Sequence, residues 1–287
     1  MELNPTPASR ESYDPAFFET LFQAEDKHFW FRARNRVIRA IVRQLIASFP
    51  SGYRVLEVGC GTGNVLRMLE AECTGGSVTG MDLFEEGLCF ARRRTTCPLV
   101  VGDVHTASFP HKLHLVGLFD VLEHLPDDEQ VLRDLNRFLL PGGFLLLTVP
   151  AHMSLWSYFD VAACHCRRYQ LQELRQKLLD TGYEIEYLSE FMTALFPLVW
   201  AARRFRGAGS TVAANRQLVA DELRIIPIFN GLMTWLLSLE ARWIARRRRL
   251  PFGTSLLAVA RKRTGPVAAG QQDAAAKAVS SRESRYV

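Results

Sequence analysis

The feature that most constrains this chain is a glycine-rich loop between a predicted strand and a predicted helix. The apolar strand Arg54–Val58 runs into Gly59, Gly61 and Gly63, and the helix Val65–Glu72 follows almost directly. Glycine at alternate positions lets the backbone turn sharply and lets a ligand lie against it, because no Cβ is in the way. This order of elements predicts a cofactor-binding loop at the end of the first strand of a sheet.

Strand-like and helix-like segments continue to alternate after this loop. That alternation predicts an α/β fold with a seven-stranded, mostly parallel, Rossmann-like sheet covered by helices on both faces. The six further predicted strands are Ser77–Leu83, Pro98–Val104, Leu113–Phe119, Phe144–Val149, Tyr183–Leu188 and Ser255–Arg261.

The flanking segments lack this alternation. Residues 1–50 are predicted to form a helical cover, and residues 51–190 the α/β core. A helical insertion is expected over 191–253, the last strand over 254–263, and a disordered tail over 264–287. The cover's arginines are expected on a solvated helix face opposite its apolar stripe: Arg32, Arg34, Arg36, Arg39 and Arg43.

The spacing of the glycines separates two cofactors. A dinucleotide fingerprint has its third glycine at the sixth position, where this chain has Asn64, counting from Gly59. An NAD-dependent oxidoreductase is therefore a disfavoured alternative. Glycines at positions one, three and five, with Glu57 two residues earlier, resemble the loop of class I methyltransferases, which use S-adenosylmethionine (SAM).

Later segments extend this resemblance. Asp82 resembles the family's ribose-binding acid, Gly102–Val104 its adenine contact, and Asp120–His124 its "DVLEH" segment. A carboxylate suits the ribose because it can accept hydrogen bonds from both hydroxyls of a diol. The resemblance implies SAM as cofactor, with contacts from Glu57, Gly59, Cys60, Gly61, Gly63, Asp82, Leu83, Asp103, Val104 and Phe119.

The segment His165–Tyr169 resembles an "H-x-RRY" motif of a bacterial methyltransferase subgroup, and His28–Arg34 resembles that subgroup's N-terminal helix. The resemblance implies methylation of a small molecule, such as a sugar or lipid-linked intermediate, and most simply O-methylation. Histidine is the natural general base near neutral pH, so His124 and His165 are the candidate catalytic residues. Candidate substrate contacts are Asp120, His152, Arg167 and Tyr169. The alternative is a SAM-binding scaffold without catalysis at a membrane surface.

The insertion combines tryptophans with arginines, among them Trp200, Trp235, Trp243 and Arg246–Arg249. This combination fits peripheral contact with an anionic membrane, and equally a cap or dimer contact. With no leader-like segment and six scattered cysteines, we expect a cytoplasmic protein with reduced thiols, and a membrane-peripheral location is the alternative. The Cys164–Cys166 spacing is a poor match to a zinc site, so no metal is expected. No nucleic-acid partner is expected, and the sequence leaves the oligomeric state open.

Overall fold

The computed structural model describes residues 13–205 and 223–264. Part of the predicted insertion and all of the predicted tail except Thr264 lie outside these ranges. The strands are β1 (Tyr53–Val58), β2 (Gly76–Asp82), β3 (Leu99–Val101), β4 (Leu113–Phe119), β5 (Leu139–Pro150), β6 (Tyr183–Phe191) and β7 (Ser255–Lys262). They form one seven-stranded sheet in the order β3-β2-β1-β4-β5-β7-β6.

The sheet is mostly parallel, as the alternation of elements predicts. Strands β1 to β5 pair in parallel, whereas β7 runs antiparallel to both of its neighbours. The helices are α1 (Phe17–Ala24), α2 (Phe29–Ile46), α3 (Asn64–Glu72), α4 (Glu85–Ala91), α5 (Asp128–Phe138), α6 (Tyr158–Ala162), α7 (Leu171–Asp180), α8 (Phe196–Phe205) and α9 (Pro227–Ile244).

Two apolar cores lie on opposite faces of the sheet. Alternate residues of a strand point to opposite faces, so Val55 joins one core while Leu56 and Val58 join the other. The first core includes residues of α2, α3, α4 and α9, and the second includes residues of α5 and α7. The predicted fold class, with helices on both faces, is confirmed.

The third and fifth strands differ most from the sequence prediction, while the other strand ends lie within three residues of it. The third strand is only Leu99–Val101, shorter than the predicted Pro98–Val104. The fifth strand begins at Leu139 and includes the Pro-Gly-Gly segment that reads as a turn. Leu113 pairs with Leu139 and Leu115 pairs with Phe144, so the extra residues form an irregularity in the ladder. The Pro-Gly-Gly sequence predicts a turn, but it carries no information on the pairing with β4 that continues on both sides of it.

The insertion packs on the N-terminal cover through α9. Asn230 accepts a 2.7 Å hydrogen bond from the Phe29 N–H and donates to the Lys27 carbonyl at 3.0 Å. Arg36 donates to the Thr234 carbonyl at 3.1 Å. The prediction of a uniformly solvated arginine face is wrong at Arg34, which is buried against Asp120. Among the described residues, no helix combines the length and apolar character needed to span a bilayer.

Candidate active site

A cavity of about 710 Å³ opens at the carboxyl ends of β1, β2, β4 and β5. This volume falls within the range of roughly 300–1,000 Å³ that is usual for ligand sites. The loops after the strands form its floor, and α1, α2 and the insertion contribute its walls. Of the ten predicted cofactor contacts, all except Gly63 line it.

The glycine loop adopts a backbone that only glycine accommodates easily. Gly59, Gly61 and Gly63 have φ values of 69°, 49° and 76°. A Cβ on Gly59 would lie 2.4 Å from a methyl carbon of Val121, and one on Gly63 would lie 2.9 Å from the Cβ of Ala91. Gly63 therefore lets α3 pack on α4, whereas Gly61 faces the cavity.

Asp82 anchors this loop from the end of β2. Its carboxylate accepts hydrogen bonds from the Gly61 N–H at 2.6 Å and the Phe84 N–H at 2.9 Å. Burial raises the pKa of Asp82 to about 6, although these backbone donors oppose the change. The remaining acceptor capacity of a carboxylate can still serve a ligand in the cavity, which is what a ribose diol requires.

A second buried acid lies beneath the loop. Glu57 is 3% exposed, and its Oε2 atom has no hydrogen-bond partner among the described residues. Burial raises the pKa of Glu57 well above its usual value, against the opposing charge of Arg34. A buried polar atom without a partner is rare in folded proteins, so this oxygen fits a site that a polar ligand completes.

Arg34 was missed as a site residue by sequence reasoning. Its Nη1 atom lies 2.8 Å from Asp120 Oδ2, and its guanidinium lies 5.1 Å from the Trp30 ring centroid. Asp120 directly follows β4 with a φ of 55°, a conformation uncommon outside glycine. The pair places one positive charge among the acids of the cavity.

The far end of the cavity is more apolar. Leu83, Val104 and Phe119 line it together with Asp103, which accepts a 2.9 Å hydrogen bond from the His105 N–H. An apolar slot with an acid at its edge suits a purine ring with an exocyclic amine. The carboxylates at the ends of β1 and β2, the glycine loop and this slot together fit SAM.

The first helix closes the cofactor side. Arg94 donates 2.7 Å hydrogen bonds to the Thr62 hydroxyl and the Phe22 carbonyl, and Glu25 pairs with both Arg94 and Thr62. Tyr13 reaches over the cavity, with its ring centroid 5.5 Å from that of His124. These partners are distant in sequence, so no local motif predicts their contacts.

His165 is held by a carboxylate that sequence reasoning did not single out. Its Nδ1 atom lies 2.9 Å from Asp160 Oδ1. Burial raises the pKa of Asp160, but the hydrogen bond from His165 and the charge of Arg168 outweigh it and lower the pKa to about 2. An ionised carboxylate can only accept a hydrogen bond. The Nδ1 atom therefore carries a proton, and Nε2 of a neutral ring is the acceptor.

The Nε2 atom of His165 lies near His124 and Glu123 in the cavity. The two histidine rings meet edge to face at 4.7 Å, and Glu123 Oε1 is 4.0 Å from Nε2. Glu123 is 1% exposed, and burial together with the charge of Asp120 raises its pKa well above the usual value. The three side chains offer ligand atoms within 4.8 Å of one another, close enough to hold a metal ion.

Three predicted substrate contacts do not line the cavity. His152 pairs with Glu190 at 2.8 Å, and Arg167 pairs with Asp128 at 2.7 Å. Tyr169 is fully buried and donates a 2.9 Å hydrogen bond to Asp128. Ala151 bridges Tyr169 in parallel, so this segment is extended and its side chains alternate. Arg168 therefore faces the cavity, while Arg167 and Tyr169 point away.

The family described as "Methyltransferase domain" matches residues 30–188, more than half of the chain. A ubiquinone biosynthesis O-methyltransferase of Proteus mirabilis is 32% identical over 120 residues, which cover 39% of this chain and 48% of the relative. A probable SAM-dependent methyltransferase of Mycolicibacterium smegmatis is 28% identical over 165 residues, covering 56% and 62%. The chain spans about half the length of the first curated relatives it matches.

Solved structures show the same fold. A plantazolicin methyltransferase, in complex with a desmethyl-plantazolicin analogue and S-adenosylhomocysteine, has a TM-score of 0.55 at 12% identity and covers 90% of this chain and 91% of its own. A complex of the Haloferax volcanii Trm112 activator with a putative methyltransferase gives a TM-score of 0.54 at 17% identity, covering 87% and 97%. The family match also decides between SAM and NAD in favour of SAM. The chain belongs to the class I SAM-dependent methyltransferases.

Proposed function

We propose that this chain transfers a methyl group from SAM to a hydroxyl of a small, largely apolar acceptor, with His165 as general base. The observation that carries the proposal is the pairing of His165 with Asp160 in the cavity that also contains the cofactor landmarks. SAM supplies an electrophilic methyl group on a positively charged sulfur. A hydroxyl is a weak nucleophile at neutral pH, so a base that removes its proton assists the attack.

Asp160 is well placed to act as a positioning residue for this base. It accepts from His165 Nδ1 and from Arg168 Nε, the latter at 2.6 Å. Its second oxygen accepts the Ser157 N–H at 2.8 Å as part of a helix-capping box. These contacts fix the carboxylate in one orientation. A fixed carboxylate in turn fixes the tautomer and orientation of the imidazole.

The outer cavity favours an apolar acceptor. Its walls there are formed by side chains of α1, α6 and the insertion, namely Phe17, Leu21, Phe159, Leu195, Leu198 and Phe229. Burial of an apolar ligand against apolar walls is favourable, while the few polar groups set the ligand's orientation. A lipid-linked hydroxyl or a hydroxylated ring with an apolar tail suits this lining better than a free sugar. The similarity to ubiquinone biosynthesis O-methyltransferases supports O-methylation.

The experiment is a methyl-transfer assay with methyl-labelled SAM against panels of phenols, sugars and hydroxylated lipids. With an acceptor found, His165→Gln is expected to lower kcat by about 10²–10⁴-fold, the usual contribution of a general base. Asp160→Asn is expected to lower kcat less and to change its pH profile. Both variants should still bind SAM in calorimetric titration.

His152→Gln is the matched control, because His152 also pairs with a carboxylate but lies outside the cavity lining. It should retain the wild-type kcat. Equal loss of kcat in His152→Gln and His165→Gln would contradict the base assignment. Activity that disappears in EDTA and returns with a divalent cation would instead assign Glu123, His124 and His165 to a metal. SAM bound but never consumed with any acceptor would support the non-catalytic scaffold.

A further inference from the structure

Helix α9 buries two polar residues, Asn230 and Thr234, beside its core residues Met233, Leu237, Ala241 and Ile244, and it leaves a second set of apolar side chains exposed. Asn230 accepts a hydrogen bond from the Phe29 N–H and donates to the Lys27 carbonyl. The Thr234 hydroxyl donates to the Asn230 carbonyl, and the Thr234 carbonyl accepts from Arg36. The outward face carries large apolar side chains three or four residues apart: Ile228, Leu232, Trp235, Leu239 and Trp243. Ile228 is 88% exposed and Trp235 is 60% exposed. We call these five side chains the apolar stripe.

The stripe is too large to be incidental surface. Single exposed apolar residues are normal, but contiguous apolar patches mark contact sites. Five residues over four turns extend roughly 22 Å at 1.5 Å rise per residue. Leu198 and Trp200 of α8 are also exposed, at 50% and 49%.

Positive charge lies at the carboxyl end of the stripe. Arg242, Arg246, Arg248 and Arg249 are exposed there. The acid within α9, Glu240, is turned inward and accepts hydrogen bonds from the Thr193 and Ala194 N–H groups at 3.0 and 2.8 Å. The stripe and its arginines therefore present apolar and cationic groups without an exposed α9 carboxylate. If a second copy of this chain packed its α9 on the stripe, that helix would offer the arginines no exposed carboxylate. Anionic lipid headgroups would offer them negative charge.

The mouth of the cavity adjoins this surface. Leu198 and Phe229 line the cavity and are also 50% and 41% exposed. Phe229 neighbours Ile228, the first residue of the stripe. An acceptor with an apolar tail could pass from a lipid surface into the cavity without its tail crossing water.

We propose that the apolar stripe and the arginines at its end dock the chain on an anionic membrane surface, with the cavity mouth facing the lipid. Tryptophan is favoured at the membrane interface, and arginine near an anionic surface adds electrostatic attraction. The helix lies in the interface rather than spanning it. Only the delivery of a lipid-linked acceptor rests on the proposed function; docking itself does not.

The test is flotation of the full chain with phosphatidylcholine vesicles, with and without about 30% phosphatidylglycerol. Saturable binding is expected to the anionic vesicles, with a blue shift of tryptophan emission and release as NaCl rises from about 0.1 to 0.5 M. Leu232→Ser combined with Trp235→Ser should weaken binding at least about tenfold. Arg246→Gln combined with Arg249→Gln should weaken it roughly 30-fold.

The matched controls are Val100→Ser, an exposed apolar residue on the opposite sheet edge, and Arg175→Gln on α7. Both should bind vesicles like the wild type. Absence of saturable binding, or equal losses in the controls, overturns the proposal. A solution dimer that Trp235→Ser dissociates also overturns it, because a second copy then covers the stripe. SAM titration of each variant separates this outcome from failure of the proposed function, since docking does not require SAM.

Discussion

The sharpest test of the cofactor site is Asp82→Asn. Alanine at this position would confound two effects, because the carboxylate also holds the Gly61 and Phe84 N–H groups at 2.6 and 2.9 Å. Asparagine has the same size and keeps one acceptor oxygen. It removes the charge and places an N–H₂ group where the carboxylate accepts hydrogen bonds.

The expected loss follows from the number of charged hydrogen bonds affected. Hydrogen bonds to a charged group contribute about 1.5–3 kcal/mol each, and the amide retains part of this through its oxygen. We therefore expect SAM binding to weaken by about 2–3 kcal/mol, which is roughly 30–150-fold in Kd. S-adenosylhomocysteine, which has the same ribose, should lose a similar factor.

The assay is calorimetric titration of both proteins with SAM and S-adenosylhomocysteine at pH 7.5 or above, where Asp82 with its pKa of about 6 is ionised. Thermal melting checks that the variant is folded. A folded Asp82→Asn protein that binds both ligands as tightly as the wild type would refute the ribose assignment. A loss for SAM but not for S-adenosylhomocysteine would show that the carboxylate acts on the sulfur charge rather than on the ribose.

Three further outcomes are expected. Burial raises the pKa of Asp82 to about 6, so the carboxylate becomes protonated as the pH falls below that value. SAM affinity measured by titration should therefore drop about tenfold between about pH 7 and pH 5. The Asp82→Asn protein should show a flatter pH profile of SAM affinity. Gly63→Val should destabilise the fold by about 2–4 kcal/mol in urea denaturation, from positive-φ strain and a 2.9 Å approach to Ala91. A melt like the wild type's would contradict that packing role. Leu146→Ala, in the fully buried centre of β5, should lower the free energy of unfolding by about 2–5 kcal/mol in urea denaturation. Leu232→Ala, at an exposed position, should change it by no more than about 0.5 kcal/mol. Equal losses in the two variants would contradict the assigned burial.

The sequence predicts those parts of the molecule that depend on local pattern. Strand and helix alternation predicts the sheet, and the glycine spacing predicts the loop, because both are set by neighbouring residues. The same local signals cannot fix a side chain's direction after β5. Arg168 rather than Arg167 faces the cavity because Ala151 bridges Tyr169, a pairing across 18 positions. In an extended segment, a shift of the pairing by one residue turns each side chain to the opposite face.

Burial of charged groups was the other feature that local pattern could not supply. Arg34 stands among five arginines of one helix, and only its contact with Asp120, 86 positions away, distinguishes it. Asp160 caps its own helix through the Ser157 N–H, and it also holds both His165 and Arg168. Partners such as these are brought together by the sheet order, which places the ends of β1, β4 and β5 side by side.

In the proposed reaction, binding of the donor and activation of the acceptor are separate tasks. Glu57, Asp82, Asp120 and Glu123 line the cavity that contains the cofactor landmarks, and SAM carries a positive charge on sulfur that S-adenosylhomocysteine lacks. That charge is greatest before transfer and is lost from sulfur afterwards, so an ionised carboxylate near the sulfur favours the bound donor over the transition state. Interactions of that kind strengthen binding without lowering the barrier. Acceleration must therefore come from orientation of the acceptor and from deprotonation of its hydroxyl. Under the proposed function, those roles fall to the apolar walls of the cavity and to His165, held by Asp160.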